Sequence, residues 1–142
     1  MKRFALVLCL ALCAASPAAA EIYHMSALPL TVRENVAGGK GNLLVKYAFV
    51  RKDAPAENSI KEMGYMVLLP GDSIGVHQHD GTEDCYLIAS GRGVFTDDDK
   101  TYDVSAGDMT VCRSGHKHGL ANTGDVPLTF FAVLGSKGDT RK

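Results

Sequence analysis

The stretch VHQHDGTEDCYLIASGRG, residues 76–93, decides how this chain is read. His77 and His79 stand at i and i+2, a spacing that puts both side chains on one face of an extended strand. An Asp-Gly-Thr turn signal follows, and behind it come two neighbouring acids, Glu83 and Asp84. After that turn the chain is expected to return as an adjacent strand, bringing an acid near the rings. Farther on, SGHKHGLAN, residues 114–122, repeats the histidine spacing with His116 and His118. Imidazoles and a carboxylate that meet from separate segments can hold a transition-metal ion. The competing reading is a set of unrelated polar residues in turns.

The flanking sequence favours strands. Turn signals recur through the second half: Leu-Pro-Gly at 69–71, Ser-Gly-Arg-Gly at 90–93, Ala-Gly-Asp at 106–108 and Asn-Thr-Gly-Asp at 122–125. Between them lie short apolar or alternating runs at 65–69, 85–89, 109–112 and 128–134. Regular short strands with glycine-rich turns point to a sandwich or barrel. An earlier run alternates Leu43, Val45, Tyr47 and Phe49 on one face, which reads as a half-buried strand. After residue 60 no window combines a 3.6-residue apolar period with capping signals, so the fold class is all-β in one domain. Residues 52–58 read as a connecting loop, and residues 21–40 as an irregular arm. The acidic run 97–99 reads as a solvated hairpin turn, because it lacks the glycine and distant glutamate of a calcium loop.

Composition narrows the partners. The chain has 142 residues and a net charge of −1, with no basic stripe, so nucleic acid is not expected as the main partner. Its first residues, MKRFALVLCLALCAASPAAAE, combine a basic start, a short apolar run and a small-residue cleavage site. They read as a secretory signal over residues 1–20, cut before Glu21, giving a periplasmic or secreted protein. A lipid anchor on Cys13 is the weaker reading, since bulky Leu12 precedes that cysteine. No later apolar stretch reaches membrane-spanning length. Cys85 and Cys112 remain after cleavage, either as one disulfide or as two free thiols.

The two histidine stretches sit inside longer patterns. Gly71 is followed by five residues, then His77 and His79, then the acids, then Gly91. Gly107 is followed by five residues, then Arg113 and Gly115, then His118 and Asn122, with 15 residues separating Gly91 from Gly107. This double pattern resembles the cupin family over residues 64–134. The resemblance implies a jelly-roll β-barrel with residues 61–135 as the barrel, residues 21–60 as arm and first strands, and residues 136–142 as a polar tail. It further implies one metal ion held by His77, His79, His118 and a carboxylate. Asp84 keeps the family's six-residue distance to Gly91, whereas Glu83 has the family's side chain; both stay candidates. Arg113 occupies the family's proline position, which alters a turn.

Three neutral imidazoles and one carboxylate suit Fe, Mn, Ni, Zn or Cu and disfavour calcium. Four protein ligands on an octahedral ion leave two positions for water or substrate. The expected function is a metal-dependent enzyme acting on a small oxygen-rich metabolite by Lewis-acid or oxygenase chemistry. The alternative is a non-catalytic periplasmic module for a small polar ligand or carbohydrate. An acid or base facing the open positions would favour the enzyme. Homodimers are common in the family, and the apolar faces of residues 43–49 and 128–134, together with the arm before them, are the expected contact. His116 is expected as an exposed turn residue and Asn122 as a turn-holder, with Tyr65, Tyr86 and Tyr102 as core packing.

Overall fold

A computed structural model describes residues 20–136; residues 1–19 of the expected signal segment and the polar tail beyond residue 136 lie outside the described residues. The chain forms β1 (Thr31–Glu34), β2 (Asn42–Phe49), β3 (Ile60–Leu68), β4 (Ser73–Gln78) and β5 (Thr82–Ser90). It continues through β6 (Arg92–Asp97), β7 (Lys100–Ser105), β8 (Met109–Cys112), β9 (Lys117–Ala121) and β10 (Leu128–Ser136). Among the described residues there is no α-helix, only short 3-10 turns at Val36–Gly38 and Arg51–Asp53. The strands make two antiparallel sheets, six-stranded in the order β1-β2-β3-β10-β5-β8 and four-stranded in the order β4-β9-β6-β7.

Period-two alternation sorts side chains between core and surface. On β10, Leu128, Phe130 and Ala132 are buried while Thr129, Phe131 and Val133 between them are only partly covered. Register carries the same phase across the sheet. Leu128 lies opposite Leu68, and Phe130 lies between Met66 and Ile88. One rung higher, Ala132 lies between Gly64 and Tyr86; at the rim, Leu134 lies between Glu62 and Asp84. The inner face thus rises from an apolar floor of Leu43, Leu68 and Leu128 to a rim carrying two carboxylates. Ile74, Phe95, Val104 and Leu120 supply the opposing wall from the smaller sheet.

At two glycines the packing leaves no room for a side chain. Gly91 has φ of 81°, and a Cβ there would press on the backbone of Pro127 and Leu128. At Gly75 a Cβ would run into the Ala37 carbonyl, so the bare backbone of β4 lets the Val36–Gly38 turn lie against it. That turn lies at the same end of the sandwich as the rim carboxylates.

Several expectations need correction. The arm is not irregular throughout, since its residues 31–34 form the edge strand β1. The Arg51–Asp53 turn begins the expected loop. A register shift between Tyr47 and Phe49 ends the simple alternation of β2, and Phe49 meets the ring of Tyr23 instead. The strand after the Asp-Gly-Thr turn is not hydrogen-bonded to the strand before it: β4 belongs to the smaller sheet and β5 to the larger. Strand β10 is paired on both sides, so its residues are not free to pair with another strand. The edges of the larger sheet are β1 and β8. Cys85 and Cys112 are both free, because β5 and β8 direct them to opposite faces: Cys112 lies opposite inward-facing Asp84, and Cys85 lies opposite Val111 on the outer side.

Candidate metal centre

Three strands and one sheet-to-sheet crossing assemble the site. His77 near the end of β4 lies directly opposite His118 on β9. His79 is two residues beyond His77 and keeps its inward phase, while Val76 and Gln78 turn outward. The backbone holds His79 in place: its amide donates to the His116 carbonyl at 3.0 Å, and its carbonyl accepts from Gly115 at 2.7 Å. Asp84 arrives from the opposite sheet, in phase with buried Tyr86 and Ile88.

These four residues place one donor atom each within 4.8 Å of one another. His79 Nε2 is 3.2 Å from His77 Nε2 and 2.9 Å from His118 Nε2. Asp84 Oδ2 stands 3.7 Å from His79 Nε2 and 3.5 Å from His118 Nε2. With metal–nitrogen bonds of about 2.1 Å, neighbouring ligands on one ion sit roughly 3–3.5 Å apart, so the spacing fits a shared cation. Neutral chemistry fits less well. His77 Nδ1 donates to the Gly75 carbonyl at 2.9 Å, and His79 Nδ1 lies 3.1 Å from the Thr82 hydroxyl, to which it donates in the tautomer that ligates through Nε2. Both bonds turn an Nε2 lone pair toward the centre. One proton can satisfy only one of the contacts made there; a cation satisfies all of them.

Packing holds the rings. His118 is fully buried, stacked on Tyr86 at 5.0 Å between centroids and met edge-on by Phe95 at 5.6 Å. Among the described residues its Nδ1 has no hydrogen-bond partner, so aromatic contact holds that side of the ring. Burial lowers the pKa of His77 and His79 despite the opposing pull of Asp84, keeping both rings neutral and able to ligate at neutral pH. Burial, reinforced by the charge of Asp84, holds the Tyr86 phenol well above its ordinary value.

The centre forms one wall of a cavity of about 200 Å³. Its other walls bring in two groups that sequence reading missed, Arg33 and Glu62, and behind them Tyr47 accepts a hydrogen bond from Arg33. Glu62 is half-buried, and burial raises its carboxyl above the usual range although Arg33 pulls the other way. A signal for it existed. Counting back by two from Leu68 and Met66 through Gly64 reaches Glu62 in the inward phase of β3.

Of the two candidate acids, the structure brings Asp84 to the rings and leaves Glu83 out. Glu83 shares the outward phase of Cys85 and Leu87 and pairs with Arg113 at 2.9 Å, both side chains largely exposed. His116 is exposed as expected, bonded to Asp98 at 2.7 Å; Asp98 also accepts from the Lys117 amide at 2.8 Å in the acidic hairpin turn. Asn122 is buried; its Nδ2 donates to the carbonyls of Leu68 and Val126, each at 2.9 Å, so it holds its turn. Tyr86 is core and also lines the cavity, Tyr65 is half-buried on the outer face, and Tyr102 is 49% exposed and so not core.

The model of the cupin domain matches residues 64–134, half of the chain and the span that carries both histidine stretches. The chain belongs to the cupin family. An oxalate-binding protein of Thermotoga maritima is 38% identical to this cupin over 100 residues, covering 70% of this chain and 81% of that protein. The crystal structure of a predicted oxalate decarboxylase from Thermotoga maritima superposes with a TM-score of 0.75 at 32% identity, over 82% of this cupin and 99% of that chain. A cupin 2 conserved barrel domain protein from Salinispora arenicola shares the fold at a TM-score of 0.63 and 22% identity, covering 84% of this chain and 91% of that one.

Proposed function

We propose that this cupin is an exported metal-dependent enzyme acting on a small oxygen-rich carboxylate, with oxalate the first candidate. The convergence of His77, His79, Asp84 and His118 on the wall of a small cavity carries the reading. At about 30 Å³ per water, a space of about 200 Å³ admits a ligand of only a handful of heavy atoms. The oxalate named in both Thermotoga maritima matches supports a carboxylate of that size. A divalent transition ion bound there supplies a Lewis acid with open positions for oxygen donors. The chain's own residues do the rest. Three neutral rings and a single carboxylate leave the centre positively charged, which favours an anion. Met66, Ala132 and Leu134 give the cavity apolar walls that limit water. Glu62, whose carboxyl burial raises above the usual range, is an acid–base group in the same wall, the feature expected of an enzyme rather than a passive receptor.

The alternative, non-catalytic capture of a small ligand, is favoured by the name of the oxalate-binding relative. One experiment separates the two. Protein purified without added metal or a histidine tag is assayed for metal content, oxalate affinity, and formate or carbon dioxide release. One equivalent of a transition metal with turnover supports the enzyme. Metal-dependent binding without turnover supports the binding module, and absence of both metal and binding defeats the two together.

The leader over residues 1–20 supports export, and an N-terminus at Glu21 in the mature protein tests it. A homodimer is part of the same reading. It is supported by an apolar strip on the outer face at β5 and β8, where Leu87 is 44%, Met109 77% and Val111 46% exposed. A monomer by light scattering at micromolar concentration would remove it.

A further inference from the structure

We propose that Arg33, held by the Tyr47 hydroxyl, is a second anchor for the ligand and selects short dicarboxylates over monocarboxylates. This rests on the metal-dependent reading above and names the group that would give it specificity.

The placement follows from register. Arg33 pairs with Leu43 and Thr31 with Val45, so Arg33 occupies the inward phase of the edge strand even though β1 as a whole is exposed. Tyr47 follows Val45 in the inward phase of β2, and Arg33 Nη1 donates to its hydroxyl at 2.9 Å. Among the described residues Arg33 is the only arginine or lysine lining the cavity that contains His77, His79 and Asp84. Among the described residues it has no ion-pair partner within 4.0 Å. A guanidinium has five N–H donors in a fixed fork matched to a carboxylate, and the Tyr47 bond engages one nitrogen and so fixes the fork's orientation.

The two anchors divide the work. The metal centre takes one acidic group and Arg33 takes the other, and a space of about 200 Å³ favours a short link between those groups. A monocarboxylate fills only the first anchor. An exposed guanidinium is screened by water, so its contribution lies at the lower end for a charge-assisted hydrogen bond, about tenfold in affinity.

The test is calorimetric titration of metal-loaded protein with oxalate, malonate, formate and acetate, for the wild type, Arg33→Met, Arg33→Lys and Tyr47→Phe. The wild type is expected to prefer oxalate and malonate. Arg33→Met should lose about tenfold for these two while formate and acetate change less than threefold and metal content stays at the wild-type level. Arg33→Lys should recover part of the loss, and Tyr47→Phe should show a smaller loss of the same selectivity. Retention of the preference in Arg33→Met, or equal wild-type binding of mono- and dicarboxylates, overturns the anchor while leaving the metal site standing. Failure of the metal-loaded wild type to bind any of the four overturns the functional reading itself, and the anchor with it.

Discussion

Replacing Asp84 by asparagine keeps the shape of the side chain and removes its charge. Asp84 is the sole carboxylate among the four converging donors, with Oδ2 at 3.7 Å and 3.5 Å from the nearest ring nitrogens of His79 and His118. Removing one charged partner from a buried ionic contact costs about 3–5 kcal/mol. At 1.4 kcal/mol per decade, metal affinity should fall by roughly two to three and a half powers of ten. In the metal-free protein the sign reverses. A buried carboxylate facing neutral rings is poorly compensated, so an amide there leaves the melting temperature unchanged or higher. Glu83→Gln is the matched control: its ion pair with Arg113 is exposed and worth about 0–1 kcal/mol, with no effect on metal. Chelator-competition titration, elemental analysis after dialysis and paired melts with and without metal measure all three effects. Wild-type metal affinity in Asp84→Asn, or lost affinity in Glu83→Gln, would refute the reasoning.

Burial lowers the pKa of His77 and His79 in the folded chain, so the unfolded chain binds protons first as pH falls. The stability they contribute to metal-free protein is complete above about pH 6.5 and declines as pH drops through their folded values. Ring-proton NMR should find these two titrating below free imidazole and His116, raised by its bond to Asp98, titrating above it; the opposite order would contradict the assignment. The Cys112 thiol is pushed up to about 11 by burial, so native protein at pH 8 should show no fast thiol reaction at Cys112, and intact mass should not change on reduction. Phe130 is fully buried between Met66 and Ile88, and Phe130→Ala should cost about 3–5 kcal/mol in urea unfolding, whereas a loss below 1 kcal/mol would show that the core is not packed as described.

Much of the fold could be read along the chain because alternation is a local signal. The run 109–112 is strand β8 and the run 128–134 lies within β10, each with its buried residues in period two. His77 and His79 were legible for the same reason, since their i, i+2 spacing sets a shared phase, whereas His118, on another strand, was singled out by the resemblance to the cupin family. β1 was missed because all four of its residues are exposed and no apolar alternation marks it. The pairing of β4 with β5 was misjudged because a short turn looks the same whether the next strand stays in its sheet or crosses to the facing one.

By itself, the sequence determined the all-β class, the two histidine stretches and the presence of one acid beside them, because each depends on residues a few positions apart. Tertiary structure alone chose Asp84 over Glu83, since that choice depends on which phase of β5 faces the core once β10 and β8 pin its register. It alone brought Arg33 from β1 and Glu62 from β3 to the cavity of the histidines, with Tyr47 of β2 bonded to Arg33. Inward phase is fixed by pairing with strands distant along the chain, and a charged residue on an edge strand shows no sign of what it faces until those pairings form.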